Sequence, residues 1–168
     1  MTGVEAALLR ACQWLQSTEF ATSIRESGYL YPAIEGSHVL ALALSVGVVM
    51  WFDLRLAGLV WKQRPVSMVF LRLRPVMLVG FGIMFVTGAL LFSARAPEAF
   101  QSFYFRTKMA LLLLGGVNIA LFHLTIDRRR AEWDALQPPP LQARLAGIVS
   151  LVLWFAIIAA GRIMAYNL

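Results

Sequence analysis

Four stretches of this chain, near residues 36–60, 75–93, 107–126 and 145–167, are apolar over lengths close to the 20 or so residues that cross a bilayer as a helix. No soluble core needs runs of this kind, because core residues recur at helical or strand spacing with polar residues between them. Composition agrees. Of 168 residues, 60% are hydrophobic and 14% charged, with a mean hydropathy of +0.71, against about 45–50% and 25% in ordinary globular chains. No run alternates with period two, which argues against a membrane β-barrel, and a helix satisfies its own backbone hydrogen bonds in lipid. The expected fold is all-α: a polytopic bundle of four transmembrane helices over residues 34–168, in contact with the lipid bilayer. Pro75 is read as opening the second span, since a first-turn proline gives up no helical hydrogen bond. The prolines at 138–140 precede the fourth span.

Basic residues set the expected orientation. Loop 61–74 carries Lys62, Arg64, Arg72 and Arg74, and loop 127–144 carries Arg128, Arg129, Arg130 and Arg144. The opposite face has Arg10, Arg25, Arg95 and Arg106. Eight against four places the two basic loops in the cytoplasm and both termini in the periplasm. The net charge of +6 is then a matter of topology and lipid headgroups, and no nucleic-acid fold accompanies it.

Residues 1–33 lack the basic, apolar and cleavage regions of a signal peptide. Val4, Leu8, Ala11, Trp14 and Leu15 gather largely on one helical face, and Phe20 extends it. This predicts an amphipathic helix lying at the periplasmic interface, with the tyrosines of YLYP (29–32) at headgroup level. Cys12 is the only cysteine, so no internal disulfide can form.

Ionisable groups inside a bilayer are costly, and each is a candidate for function. His38 falls about one turn inside the outer face and His123 about one turn inside the inner face. At 1.5 Å per residue they stand roughly 20–25 Å apart along the normal, too far for one haem to take both as ligands. Each therefore needs its own site. Met109 and Met164 lie near the depth of His38 and are candidate second haem ligands, since histidine–methionine ligation is ordinary iron chemistry. His38 is also the one candidate metal ligand, because no four-ligand zinc set exists. Glu35, Lys108 and Arg162 are expected near His38, either holding an anionic or cofactor group or forming a polar collar. Asp53 and Arg55 do not face one another. Asp53 is expected to pair with Arg72, Arg74 or one of Arg128 to Arg130, and Arg55 to snorkel to the headgroups. Asn118 should hydrogen-bond to a neighbouring helix, and the glycines of the second span should mark close packing. Phosphate loops, nucleophile elbows and HExxH or CxxC motifs are absent.

The order HVLALALSVG, DLRLAG, TGALLF, FRTKMALLLLGGVNIALFH, WD and GRIMAY resembles the DUF6644-type family, small bacterial inner-membrane proteins of unassigned function. The likeness runs from about residue 14 to 166. It implies a four-helix inner-membrane protein, with Trp14, His38, Asp53, Arg55, Leu56, Thr87, Gly88, Lys108, Asn118, His123, Trp133, Gly161 and Arg162 as motif positions, and it implies no activity. Three functions stay open: a redox-cofactor (b-type haem) or metal-handling subunit; a non-catalytic anchor or assembly subunit with a membrane or periplasmic partner; and a small transporter component working as a homo-oligomer.

Overall fold

The computed structural model describes residues 3–134, 136 and 138–166. It is all helical among the described residues. Four helices are long and apolar enough to cross a membrane, making the chain a multi-pass membrane protein with lipid contact. They are α3 (Leu30–Leu56), α4 (Val66–Ala94), α6 (Phe103–Leu121, continued by tighter and wider turns to Trp133) and α8 (Leu141–Tyr166). Before them lie α1 (Gly3–Gln16) and α2 (Glu19–Glu26). The short α5 (Ala96–Gln101) links α4 to α6, and α7 (Arg130–Trp133) ends the α6 extension. Residue 167, where the sequence places the end of the fourth span, lies outside the described residues.

The spans begin earlier than their hydropathy suggests. Pro75 does not open α4 but sits inside it, nine positions after Val66. The true start is capped from a distance: the Asp134 carboxylate accepts the Ser67 N–H at 2.7 Å and also the Ser67 hydroxyl. A carboxylate there satisfies a first-turn donor and complements the helix dipole. The polar turns before Pro75 are thus helical because another loop of the protein caps them. Ser102 caps α6 locally, accepting from the Phe105 N–H.

Helix α3 is the hub, packed along α4 on one side and α8 on the other, while α6 packs chiefly on α8. Two glycines permit the approach. A Cβ on Gly80 of α4 would meet Ser45 of α3, whose Cα lies 3.2 Å away. One on Gly147 of α8 would stand 2.8 Å from the Asp53 carbonyl and 3.2 Å from Leu56 Cβ. Gly82, by contrast, has nothing within 4 Å, so only part of the GxGxM stretch marks close packing. The contacts centre on Val46, Val49, Phe52, Met77 and Trp154.

Helix α3 ends at Gly58, whose φ of +79° is the left-handed conformation glycine adopts freely. There the Leu59 N–H reaches back to the Leu54 carbonyl at 2.9 Å. Arg55 does not snorkel to headgroups. It is 1% exposed and turns under the following loop, donating to the Arg64 carbonyl from Nε (3.0 Å) and Nη2 (2.5 Å), with Lys62 O at 3.4 Å. Those carbonyls have no strand or helix partner, and the guanidinium fork supplies one.

At the other end, α1 and α2 pack against α4 and α5. Gln16 donates to the Ala94 carbonyl (3.3 Å) and to Glu98 (2.9 Å). Val4, Leu8, Trp14 and Phe20 remain exposed, an apolar surface facing away from the bundle.

Candidate functional site

The structure divides the polar residues into two groups at opposite ends of the bundle. At the end away from the basic loops, His38 of α3 meets Thr87 of α4, Nδ1 to Oγ1 at 2.8 Å. The Thr87 hydroxyl donates to the Ile83 carbonyl at 2.7 Å, so it accepts from the imidazole. That logic assigns the Nδ1–H tautomer and leaves the lone pair of neutral His38 on Nε2. Gly88 gives the ring room: a Cβ there would lie 3.3 Å from His38 Cε1. The Lys108 side chain of α6 crosses α8 at Gly161, where a Cβ would be 3.7 Å from Nζ, and its charge acts on His38.

The expected four-residue collar does not form. Glu35 is exposed and makes no hydrogen bond or ion pair. Arg162 turns to Tyr166, donating to its hydroxyl at 2.7 Å and lying 4.6 Å over its ring. Rotation along α3 and α8 carries those two side chains off the line that joins His38 and Lys108. Met109 is 44% exposed on α6 and Met164 is half-buried on α8. Met84 is the methionine drawn into the polar chain here, its sulfur accepting from Ser45 Oγ at 3.0 Å. Among the described residues no group of three or more His, Cys, Asp or Glu could hold a metal.

The second group surrounds a cavity of about 490 Å³ between α3, α4, α6 and α8, toward the basic loops. Its wall is mainly apolar and rich in phenylalanine (Phe52, Phe70, Phe81, Phe122). Six polar side chains interrupt it: Asp53, Arg74, Asn118, His123, Asp127 and Ser150.

Asp53 is the anomaly. It is 5% exposed, the Ser150 hydroxyl is its hydrogen-bond partner, and its Oδ2 has no partner at all. The expected ion pair with Arg72, Arg74 or Arg128 to Arg130 is not made. Arg130 is bound to Asp127, Arg129 pairs with Glu132, and Arg74 lines the cavity without bonding the carboxylate. The loops are too well tied to themselves to reach α3. Buried carboxylate oxygens are otherwise hydrogen-bonded, so an orphan facing a cavity calls for a reason.

His123 stands across from α3 on one turn of π-helix, Phe122–Ile126, a local widening frequent at functional sites. Its Nδ1 lies 3.0 Å from Asp127 Oδ2, and the other Asp127 oxygen takes Arg130. Arg130 in turn lies 5.3 Å over the Phe70 ring, and Phe70 packs 5.9 Å from His123. The imidazole is thus oriented by a carboxylate that is itself neutralised, leaving Nε2 as acceptor. Asn118 donates to the Ala146 carbonyl of α8 at 3.1 Å, which commits its NH₂ end and leaves an amide oxygen. The group as a whole offers acceptors and lacks donors.

The structure keeps His38 and His123 in separate networks and brings Asp53, Asn118 and His123 to one cavity. Sequence reasoning missed Ser150, which reads as a packing residue in an apolar run, and Asp127, which reads as part of a basic loop. The spacing of His123 and Asp127, four apart on one helical face, was the available signal for the second.

Residues 13–167 match the model of DUF6644, a family of unknown function. No curated protein and no solved structure matches the chain.

Proposed function

The chain belongs to the DUF6644 family, from which no activity carries over, and we propose that it is a ligand-binding protein of the bacterial inner membrane. The two basic loops lie in the cytoplasm and the N- and C-terminal segments in the periplasm, which the distribution of arginine and lysine supports. The ligand is a small, largely apolar molecule carrying a hydrogen-bond donor. The observation that carries this reading is the unpartnered Asp53 oxygen on a 490 Å³ cavity, a volume within the usual range for small-molecule sites. The acceptors Asp53 Oδ2, Asn118 Oδ1 and His123 Nε2 select a donor such as a hydroxyl, and the phenylalanines select an apolar body.

The test is binding of trimethylhydroquinone, a ring with two hydroxyl donors, to the protein in lipid nanodiscs. Asp53→Asn should weaken binding at least tenfold while the protein stays folded. Equal binding by the native protein and the variant, or no binding to either, refutes the reading.

His38 favours a second reading, a haem b or metal ligand at the periplasmic end. Its Nδ1–H is held by Thr87, the arrangement that orients ligating imidazoles and presents Nε2 to a metal. An optical spectrum of the purified protein, oxidised and then reduced, decides it. A Soret band that shifts on reduction and vanishes in His38→Ala supports a b-type haem, and a flat spectrum above 300 nm from haem-replete cells removes it.

A further inference from the structure

We infer that the ligand of the Asp53 cavity is a tailed lipid that enters sideways from the bilayer, its ring against the phenylalanines and its chain along α6. This rests on the reading of that cavity as a ligand site and names the class of molecule it takes.

Three observations carry it. First, the cavity opens toward lipid rather than toward water alone. Leu78 of α4 and Ile119 of α6 both line it, yet they are 60% and 45% exposed on the outside of the bundle. Residues that are at once wall and outer surface mark a portal. Second, the portal lies where two spans do not close. Helix α6 packs chiefly on α8 and meets α4 through side chains near its two ends, where Phe92 stacks on Phe105 at 5.3 Å and Phe70 meets His123. Between those contacts the seam is open.

Third, the cavity does not stop at the polar residues. A second apolar hollow of about 270 Å³ continues from it, with Phe81, Ile119 and Ser150 common to both. It runs past Leu112, Gly115 and Gly116 of α6 to Leu153, Trp154 and Ile157 of α8. Neither Gly115 nor Gly116 has any atom within 4 Å of where a Cβ would stand. These glycines therefore do not serve helix packing here; they leave a trough of chain width. A donor-bearing ring at Asp53 and an alkyl or isoprenoid chain in the trough together match the sequence of surfaces, polar acceptor, aromatic wall and apolar trough.

The experiment compares two probes, trimethylhydroquinone and its decyl-tailed analogue, each kept reduced, on the native protein, Asp53→Asn and Gly115→Leu/Gly116→Leu in nanodiscs of one lipid composition. Each probe is compared between proteins, so its partition into lipid cancels. The double leucine variant fills the trough without touching another helix, and its folding is checked by helical circular dichroism. It should weaken the tailed probe at least threefold and change the tail-less one less than twofold, whereas Asp53→Asn should weaken both. If the leucines leave the tailed probe unaffected while Asp53→Asn weakens both, the trough assignment is overturned and the cavity reading stands. If Asp53→Asn leaves both unaffected, or neither probe binds, the cavity reading falls and takes this inference with it. A Leu78→Trp/Ile119→Trp variant gives a separate check on entry: it should slow association of the tailed probe, and an unchanged rate refutes the sideways route.

Discussion

Replacing Asp53 by leucine should make this protein more stable. The side chain is 5% exposed, and one carboxyl oxygen has no partner. Leaving a buried acceptor unpaired costs about 1–3 kcal/mol, more if it is charged. Leucine removes that orphan and has a similar volume, and the neighbouring cavity gives its branched end room. The loss is the bond from Ser150, worth about 1 kcal/mol, part of which Ser150 recovers by turning its hydroxyl to a carbonyl of its own helix. The balance is a gain of about 1–2 kcal/mol. For a chain of this length that is a rise in Tm of about 2–8 °C, taking ~2–4 °C per kcal/mol. Tryptophan fluorescence of the detergent-purified protein reads it, because Trp133 and Trp154 are buried. Proteins trade stability for function at binding sites, so the stabilised variant should also lose the hydroquinone. A fall in Tm of more than about 3 °C would falsify the reasoning, since it would mean that Asp53 holds the helices together.

Gly147→Ala should destabilise by up to about 2 kcal/mol. Overpacking costs ~1–3 kcal/mol against a helix-propensity gain of ~1 kcal/mol, and the atom it meets is the Asp53 backbone carbonyl. Gly115→Ala, with open space around it, should instead be neutral or stabilising; equal effects at the two sites on a urea or thermal melt would contradict the packing described. Arg55→Ala should cost about 2–3 kcal/mol by stranding the Lys62 and Arg64 carbonyls. Arg55→Lys should recover little of it, because an ammonium cannot reproduce the fork, and full recovery on the same melt would show that charge alone matters. Burial pushes the Cys12 thiol above its ordinary 9.0, so at pH 8 a maleimide should label the folded protein at least tenfold more slowly than the unfolded one. With the folded value raised, the stability tied to this thiol is intact below pH 9.0 and falls as pH rises through the folded value. Rapid labelling at pH 8 would place Cys12 on the surface.

The four spans were legible because hydropathy is local: each run carries its own evidence. Their starts were not, because what lets α4 begin at Val66 is Asp134, a residue 67 positions after Ser67. Pro75 misled for the same reason, since the first turn lies wherever the cap is. At the site, the sequence pointed to Asp53, Asn118 and His123 as costly polar residues in apolar helices, which is a property of each residue alone. Their partners depend on rotation and on how the loops fold. Arg130 was expected among the bases available to Asp53 but is taken by Asp127 three residues away, and Arg55 was expected at headgroups but bends under its own loop. The one turn of π-helix at His123 left no mark in composition.

The arrangement in which α6 leans on α8 also sets an order of assembly. During synthesis α3 can find α4 as soon as both have left the translocon, because their contact needs nothing that follows. Helix α6 has no such early neighbour. At about 5–20 residues per second, it waits in lipid for seconds until α8, which begins at Leu141, has been made. Lys108 and Asn118 wait with it, without the Gly161 notch and the Ala146 carbonyl that later receive them. For that interval the nascent chain has a half-built bundle and one polar, unescorted helix, the moment at which a membrane chaperone or quality-control protease would find it most easily.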